Sequence, residues 1–273
     1  MNAARVVTAP HREVHFVMVG CGGTGSWLAP AVARMMRVIK ESGRDVSALF
    51  VDPDFIEEKN IPRQNFCDAE IGYPKAQTLA ARYGLAWGVE LESVNSHFSA
   101  AMANSKWNRL TVLIGCVDNA AARQEMAQTL KGNEVETPPR LWWLDCGNQR
   151  ESGQVILGST SDPKAMQCAF PIESLCQHLP SPAWQCPDLL EPQPEEMSNH
   201  NLSCAELALA NAQGLIVNQR VAAETADYLA RLLVHQNLRR FATYFDLASG
   251  SVKNYYITPE EIATFATARK KAA

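Results

Sequence analysis

The sequence predicts an α/β fold of the Rossmann-like, doubly wound kind: a mostly parallel sheet with antiparallel additions and a long crossover loop. Three observations carry this expectation. Apolar runs of strand length alternate with helical patterns through the N-terminal half. The first run ends in closely spaced glycines, Gly20, Gly22, Gly23 and Gly25, and passes into a helical pattern. The second run ends in an acid, Asp52. Strand, glycine turn, helix, strand and acid, in that order, is the layout of a nucleotide-binding βαβ unit.

The elements follow in order. Residues 14–20 read as a strand, 25–40 as a helix and 47–52 as the second strand. Pro74 suits the start of a helix over 75–84, with Lys75 in its first turn. Strands are expected at 89–95 and 110–117, a helix at 119–130, and strands at 140–146 and 153–159, the last an antiparallel addition. Residues 160–203 then hold seven of the 15 prolines and little periodicity, the pattern of a long crossover loop. Residues 203–236 read as one long helix, with a hairpin around Ser249 and Gly250, Tyr255 and Tyr256 in its second arm, and a final helix from Pro259. The expected organisation is a nucleotide-binding half at 1–159, the crossover at 160–203, and a helix-and-hairpin part of the same domain at 204–273.

Glycines let backbone turn tightly and approach phosphates, and a helix N-terminus offers unpaired N–H groups. Asp52, at a strand tip, suits ribose hydroxyls. This much does not choose between NAD and ATP. The segment from Asp54 through Asn60, Arg63 and Gln64 to Lys75 favours ATP. A dehydrogenase has no need of cations just past the ribose acid. Arg63 can fork onto phosphate oxygens and Lys75 can supply a point charge. Asp118 ends a central strand, where a carboxylate can serve Mg²⁺ together with phosphate oxygens. The alternatives are that Asp118 caps the next helix, and that Asp54 and Asn60 only form turns.

A net charge of −4 with no basic cluster argues against a nucleic-acid or membrane surface. No window supplies the roughly 18 apolar residues of a membrane span, and no leader pattern opens the chain, so a cytoplasmic location is expected. Eight cysteines in such a chain point to thiols, metal or catalysis rather than a disulfide framework.

The motifs Gly20-x-Gly22-Gly23-x-Gly25-Ser26, Asp52-x-Asp54, Asn60-x-x-Arg63-Gln64, Lys75 and Cys116-x-Asp118-Asn119 resemble the signature of the ThiF/MoeB/HesA family, and within it the ThiF-like branch of bacterial PRTRC systems. The resemblance covers roughly residues 14–150 with specific motifs and 200–235 more loosely. It implies MgATP-dependent adenylation of the C-terminal carboxylate of a small ubiquitin-like or sulfur-carrier protein. By this resemblance Asp52 holds the ribose, Asn60, Arg63 and Lys75 the phosphates, and Asp118 the Mg²⁺. It also implies a homodimer in which an N-terminal arginine, Arg5 or Arg12, reaches the other subunit's ATP, and a conjugating-enzyme-like acceptor. The alternatives are activation of a carboxylate on a small molecule or tRNA, an NAD-dependent oxidoreductase, and a non-catalytic nucleotide-binding module.

Many members of this family carry paired CxxC motifs that bind zinc, and this chain has none. Cys168, Cys176, Cys186 and His178 match no standard zinc spacing, so no zinc site is expected. Ser203-Cys204-Ala205-Glu206 has the form of a capping box, placing Cys204 at a helix start, where the dipole favours a thiolate. By resemblance Cys204 is the thiol that forms a thioester, with Cys186 next; the alternative is a helix-start cysteine packed under the loop.

Overall fold

The computed structural model describes residues 3–104, 106–135, 137–192 and 216–268. Its elements are β1 (Arg5–Val6), β2 (Glu13–Val19), α1 (Gly23–Glu41), β3 (Asp45–Val51), α2 (Lys75–Trp87), β4 (Leu91–Val94), β5 (Arg109–Gly115), α3 (Ala120–Thr129), β6 (Leu141–Asn148), β7 (Ser152–Gly158), α4 (Pro163–Gln167), β8 (Leu175–Cys176), α5 (Pro182–Gln185), α6 (Val217–Leu233), β9 (Arg240–Asp246), β10 (Val252–Tyr256) and α7 (Pro259–Ala268).

One sheet runs β10-β9-β7-β6-β5-β2-β3-β4. The five strands from β6 to β4 are parallel, and β7, β9 and β10 add antiparallel, as the sequence predicts. From β2 the chain moves outward through β3 and β4, then crosses back to β5 on the other side of β2. The ends of β2 and β5 therefore border the switch point where open α/β sheets bind ligands.

The apolar runs are continuous because both faces of the central strands are buried. In β2, Phe16 and Met18 join the core under α1, α2 and α6, while Val17 and Val19 join the one under α3. In β6, Trp142 and Trp143 divide the same way. α1 buries Leu28, Val32, Met36 and Ile39 on one stripe, and α6 buries Val221, Tyr228, Leu229 and Leu232.

Two features differ from the sequence expectation. The described part of the crossover is packed and partly regular. α4 and α5 each begin with proline after a capping side chain, Asp162 or Ser181, and a 3₁₀ turn begins at Pro187. Proline at the first helical position needs no N–H partner, so these prolines start turns rather than break structure. Second, β1 forms a parallel ribbon with β8, which the sequence does not announce. Of the long helix expected at 203–236, Val217–Leu233 is observed, and its first residues lie outside the described ones. Among the described residues no helix is long and apolar enough to cross a membrane.

At the end of the sheet away from the glycine turn, His15 Nδ1 lies 2.8 Å from Ser47 Oγ, whose hydroxyl donates to Glu13. Burial, then the nearby Arg109 guanidinium, push His15 from 6.5 to about 4. The unfolded chain therefore takes up a proton that the folded chain refuses between these two pH values. Full stability is present above pH 6.5 and falls as the pH drops toward 4. Compared with His15→Gln, the native protein should lose about 3 kcal/mol more across this window. Urea midpoints taken at pH 7 and pH 4.5 check this; equal losses in both proteins would refute it.

Candidate nucleotide-binding site

The strand ends set the level of the site. Val19, Val51 and Gly115 are in register across β2, β3 and β5. The glycine turn, Asp52 and the Cys116–Asp118 segment therefore leave the sheet side by side. Gly20 has φ +89°, and a Cβ there would lie 2.5 Å from the Cys116 carbonyl oxygen. A Cβ on Gly25 would lie 2.0 Å from the Gly20 carbonyl oxygen. These two positions admit only glycine, and the result is a turn folded tightly onto the start of α1.

α1 begins with Gly22 at its cap and no side-chain capping bond. The Ser26 N–H bonds back to Gly22 O at 3.0 Å, which leaves the N–H groups ahead of it for a ligand. Gln64 flanks this opening, its Nε2 3.6 Å from where a Gly22 Cβ would sit. Gln64 Oε1 is buried without a hydrogen-bond partner among the described residues. An uncapped helix start beside an orphaned amide oxygen is polar capacity that a bound molecule would satisfy.

Asp52 is buried, and both of its oxygens accept backbone N–H groups: Oδ2 from Cys21 at 2.5 Å and Oδ1 from Asp54 at 2.8 Å. Burial pushes its carboxyl up, and the two N–H donors and Lys75 offset part of that. Lys75 is the first residue of α2 and almost fully buried, with Nζ 2.8 Å from Asp54 Oδ2. A buried cation at a helix N-terminus opposes the helix dipole. Among the described residues its one carboxylate contact is Asp54, 63% exposed, so Lys75 sits where an anion would be welcome.

The segment between Asp54 and Lys75 is fastened to α1. Ser26 is fully buried; its hydroxyl donates to Gly23 O and accepts the Asn65 N–H at 2.9 Å. Trp27 Nε1 donates to Arg63 O at 3.2 Å. Asn60 is buried in a 3₁₀ turn, its Oδ1 accepting the Glu57 N–H at 3.0 Å. Arg63 is half-buried, and its guanidinium has no partner among the described residues.

Asp118 is exposed, without a hydrogen-bond or ion-pair partner among the described residues. It does not cap α3. Asn119 does, accepting the Ala122 N–H at 2.9 Å. The Asp118 carboxylate is thus free for a ligand, and a single carboxylate matches an ion that arrives with phosphate oxygens. Among the described residues no group of three or more His, Cys, Asp or Glu is placed to hold a metal by itself.

The structure adds a pair that the sequence did not single out. Asp145 is fully buried on β6, level with Gly115, and Arg123 Nε donates to its Oδ2 at 3.1 Å. Arg123 also donates to Val117 O at 2.7 Å, steadying the turn that carries Asp118. Burial pushes the Asp145 carboxyl up despite Arg123. The signal was present: an acid inside the apolar run Leu141–Cys146 needs a buried cation, and Arg123 is the one cation of α3.

Other expected residues are not brought to the crevice. Arg5 and Arg12 sit in the N-terminal segment, where Arg5 Nη1 reaches Gln236 O at 3.4 Å and the Arg12 N–H bonds Asn108 O. Within one chain this is the end of the sheet opposite the glycine turn. Cys176 is buried and bonds His178 O, whereas Cys168 is exposed. Burial, then Asp188 and Asp145, push the Cys186 thiol up, which makes it a poor nucleophile at neutral pH. Cys204 lies outside the described residues.

Solved structures share this architecture. PaaA aligns with a TM-score of 0.56 at 14% identity, over 89% of this chain and 64% of its own. MccB of E. coli with AMPCPP and MccA aligns with a TM-score of 0.57 at 12% identity, over 90% and 65%. The microcin C7 biosynthetic enzyme MccB in complex with N-formylated MccA gives 0.56 at 13%, over 90% and 65%. The chain thus spans somewhat under two thirds of the length of these proteins. At such identity the likeness is one of fold. No curated protein sequence matches the chain. The model of the ThiF family matches residues 9–196, and the chain belongs to that family.

Proposed function

We propose that this protein is an ATP-dependent adenylyltransferase that activates the C-terminal carboxylate of a small ubiquitin-like or sulfur-carrier protein. One observation carries the reading: the uncapped start of α1 opens beside Asp52, with Arg63 fastened to the same helix through Trp27. Membership of the ThiF family supports it. So do the MccB structures, which hold ATP in one case and AMPCPP with MccA in another, over the same fold.

In this reading Asp52 and Asp54 face the ribose, and Gly20, Gly22, Gly23 and Gly25 let the chain approach the phosphates. Asn60, Gln64, Arg63 and Lys75 surround those phosphates. Ser26 and Asn119 act from behind, Ser26 by holding the Asn65 segment and Asn119 by starting α3 just past Asp118. Mg²⁺, bound with ATP, would supply charge neutralisation on the phosphates, and Asp118 would orient it. The acceptor carboxylate oxygen attacks the α-phosphorus, the bond to the bridging oxygen breaks, and pyrophosphate leaves. The protein's contribution is positioning and charge neutralisation. The product is an acyl-adenylate, from which the Cys204 thiol takes the acyl group and releases AMP. The chain divides in this scheme into 1–159 for adenylation, 160–203 for the crossover and 204–273 for the remainder. It works as a homodimer, with Arg5 or Arg12 acting across the subunits and a conjugating-enzyme-like protein receiving the acyl group.

The nucleotide assignment is checked by calorimetric titration with MgATP and with NAD. MgATP should bind and NAD should not; comparable NAD affinity would overturn the assignment. Arg63→Ala removes a charge-assisted contact worth about 1.5–3 kcal/mol, so MgATP affinity should fall at least about tenfold. Asp118→Asn should weaken ATP binding in the presence of Mg²⁺ while leaving binding in EDTA unchanged. An equal effect in both conditions would remove Asp118 from the metal's surroundings. Cys204→Ala should keep ATP–pyrophosphate exchange with the carrier protein and lose the reducible adduct seen on a non-reducing gel. An adduct that survives the substitution would place the thioester on another cysteine.

A further inference from the structure

α6 presents an apolar stripe to the core, with one break near its start. Asn218 is fully buried where the stripe calls for an aliphatic side chain. Its amide lies against the first residue of α1: a Cβ on Gly23 would fall 2.6 Å from Asn218 Oδ1 and 3.1 Å from Nδ2. Oδ1 accepts from Asn148 Nδ2 at 2.5 Å and from the Thr24 hydroxyl at 3.4 Å. Asn148 Nδ2 also donates to Thr24 Oγ1 at 3.3 Å. Asn148 ends β6, Thr24 is the second residue of α1 and Asn218 is the second residue of α6. Three elements distant in sequence thus meet in one buried polar knot beneath the glycine turn.

Burying an amide costs free energy that its hydrogen bonds only offset, so stability alone favours an aliphatic residue at this position. The knot does something an aliphatic contact cannot. It engages the Thr24 hydroxyl, which would otherwise be available to a backbone group of the helix start. It also fixes the direction of the first turn of α1, since hydrogen bonds are directional and apolar packing is not.

We propose that Asn218 and Asn148 are positioning residues for phosphate binding: through Thr24 and the backbone of Gly23 they hold the first turn of α1 so that its free N–H groups converge on the phosphates. Neither touches the nucleotide. The proposal rests on the adenylation reading, and it separates the phosphate half of the site from the nucleoside half, which Asp52 serves from a different strand.

The experiment compares MgATP with adenosine as probes, by calorimetry and by competition, in the full-length chain. In Asn218→Ala the dissociation constant for MgATP should rise about tenfold, the loss of one or two neutral hydrogen bonds. That for adenosine should stay unchanged. Thr24→Val, which removes the hydroxyl while keeping the shape, should show the same split and serves if Asn218→Ala does not fold. A folded variant with unchanged MgATP affinity overturns the proposal. So does equal weakening of both probes, the mark of a merely structural role. Failure of the unsubstituted protein to bind MgATP overturns the adenylation reading, and this proposal with it.

Discussion

The Asp52 carboxylate holds two stretches of backbone at once. One oxygen takes the N–H of Cys21 inside the glycine turn, and the other takes the N–H of Asp54 at the start of the segment leading to Lys75. Everything on the crevice side of β2 and β3 is arranged around that clamp. The Lys75 N–H then bonds Asp54 O, and Phe55 bridges to Pro74, closing the intervening segment at its base. Ser26 and Trp27 fasten the middle of the same segment to α1. A cation, an orphaned amide and an uncapped helix start are thereby held together by a few bonds to main chain, which do not depend on long side chains finding one rotamer.

Much of this was legible in the sequence, for a physical reason. The glycine turn, Asp52 and Lys75 are specified locally: a strand ends, the chain must turn or polar residues must begin, and the residue types at those points are constrained. The strands and helices of the N-terminal half accordingly fall within a few residues of their expected places. The knot of Asn148, Thr24 and Asn218 was not legible, because its partners lie up to 194 positions apart and an asparagine in a helical pattern announces nothing. The Arg123–Asp145 pair was not singled out either, although an acid inside an apolar run and a single cation on α3 both stand in the sequence.

The crossover shows a different limit. Its prolines, with no hydrophobic period beside them, read in the sequence as a long loop. Asp162-Pro163 and Ser181-Pro182 are each a capping residue followed by a proline that starts a turn. Helices of four or five residues are too short to show a period, so only their first two residues speak. What makes the segment ordered is burial of its few apolar and amide groups, such as Leu179 and Gln185, against β7. The consequence for the site is that α5 packs on β6 while the turn after it packs on α3, where Gln124 Nε2 donates to Leu190 O at 2.8 Å. The acid of β6 is thereby kept from water.

The ribbon of β1 with β8 bears on how the molecule assembles. The Ala4 N–H bonds Ile257 O, the Val6 N–H bonds Leu238 O, and β1 pairs with β8 in between. Residues 4–6 are therefore tied to residues 174–176, 238 and 257 at once. Strands β2 to β5 have their partners available early in synthesis, but the bonds to Leu238 and Ile257 cannot form until residue 257 has emerged. Contacts between such distant segments close large loops and slow the search. The bonds that tie residues 4 and 6 to Ile257 and Leu238 are thus among the last contacts the chain closes.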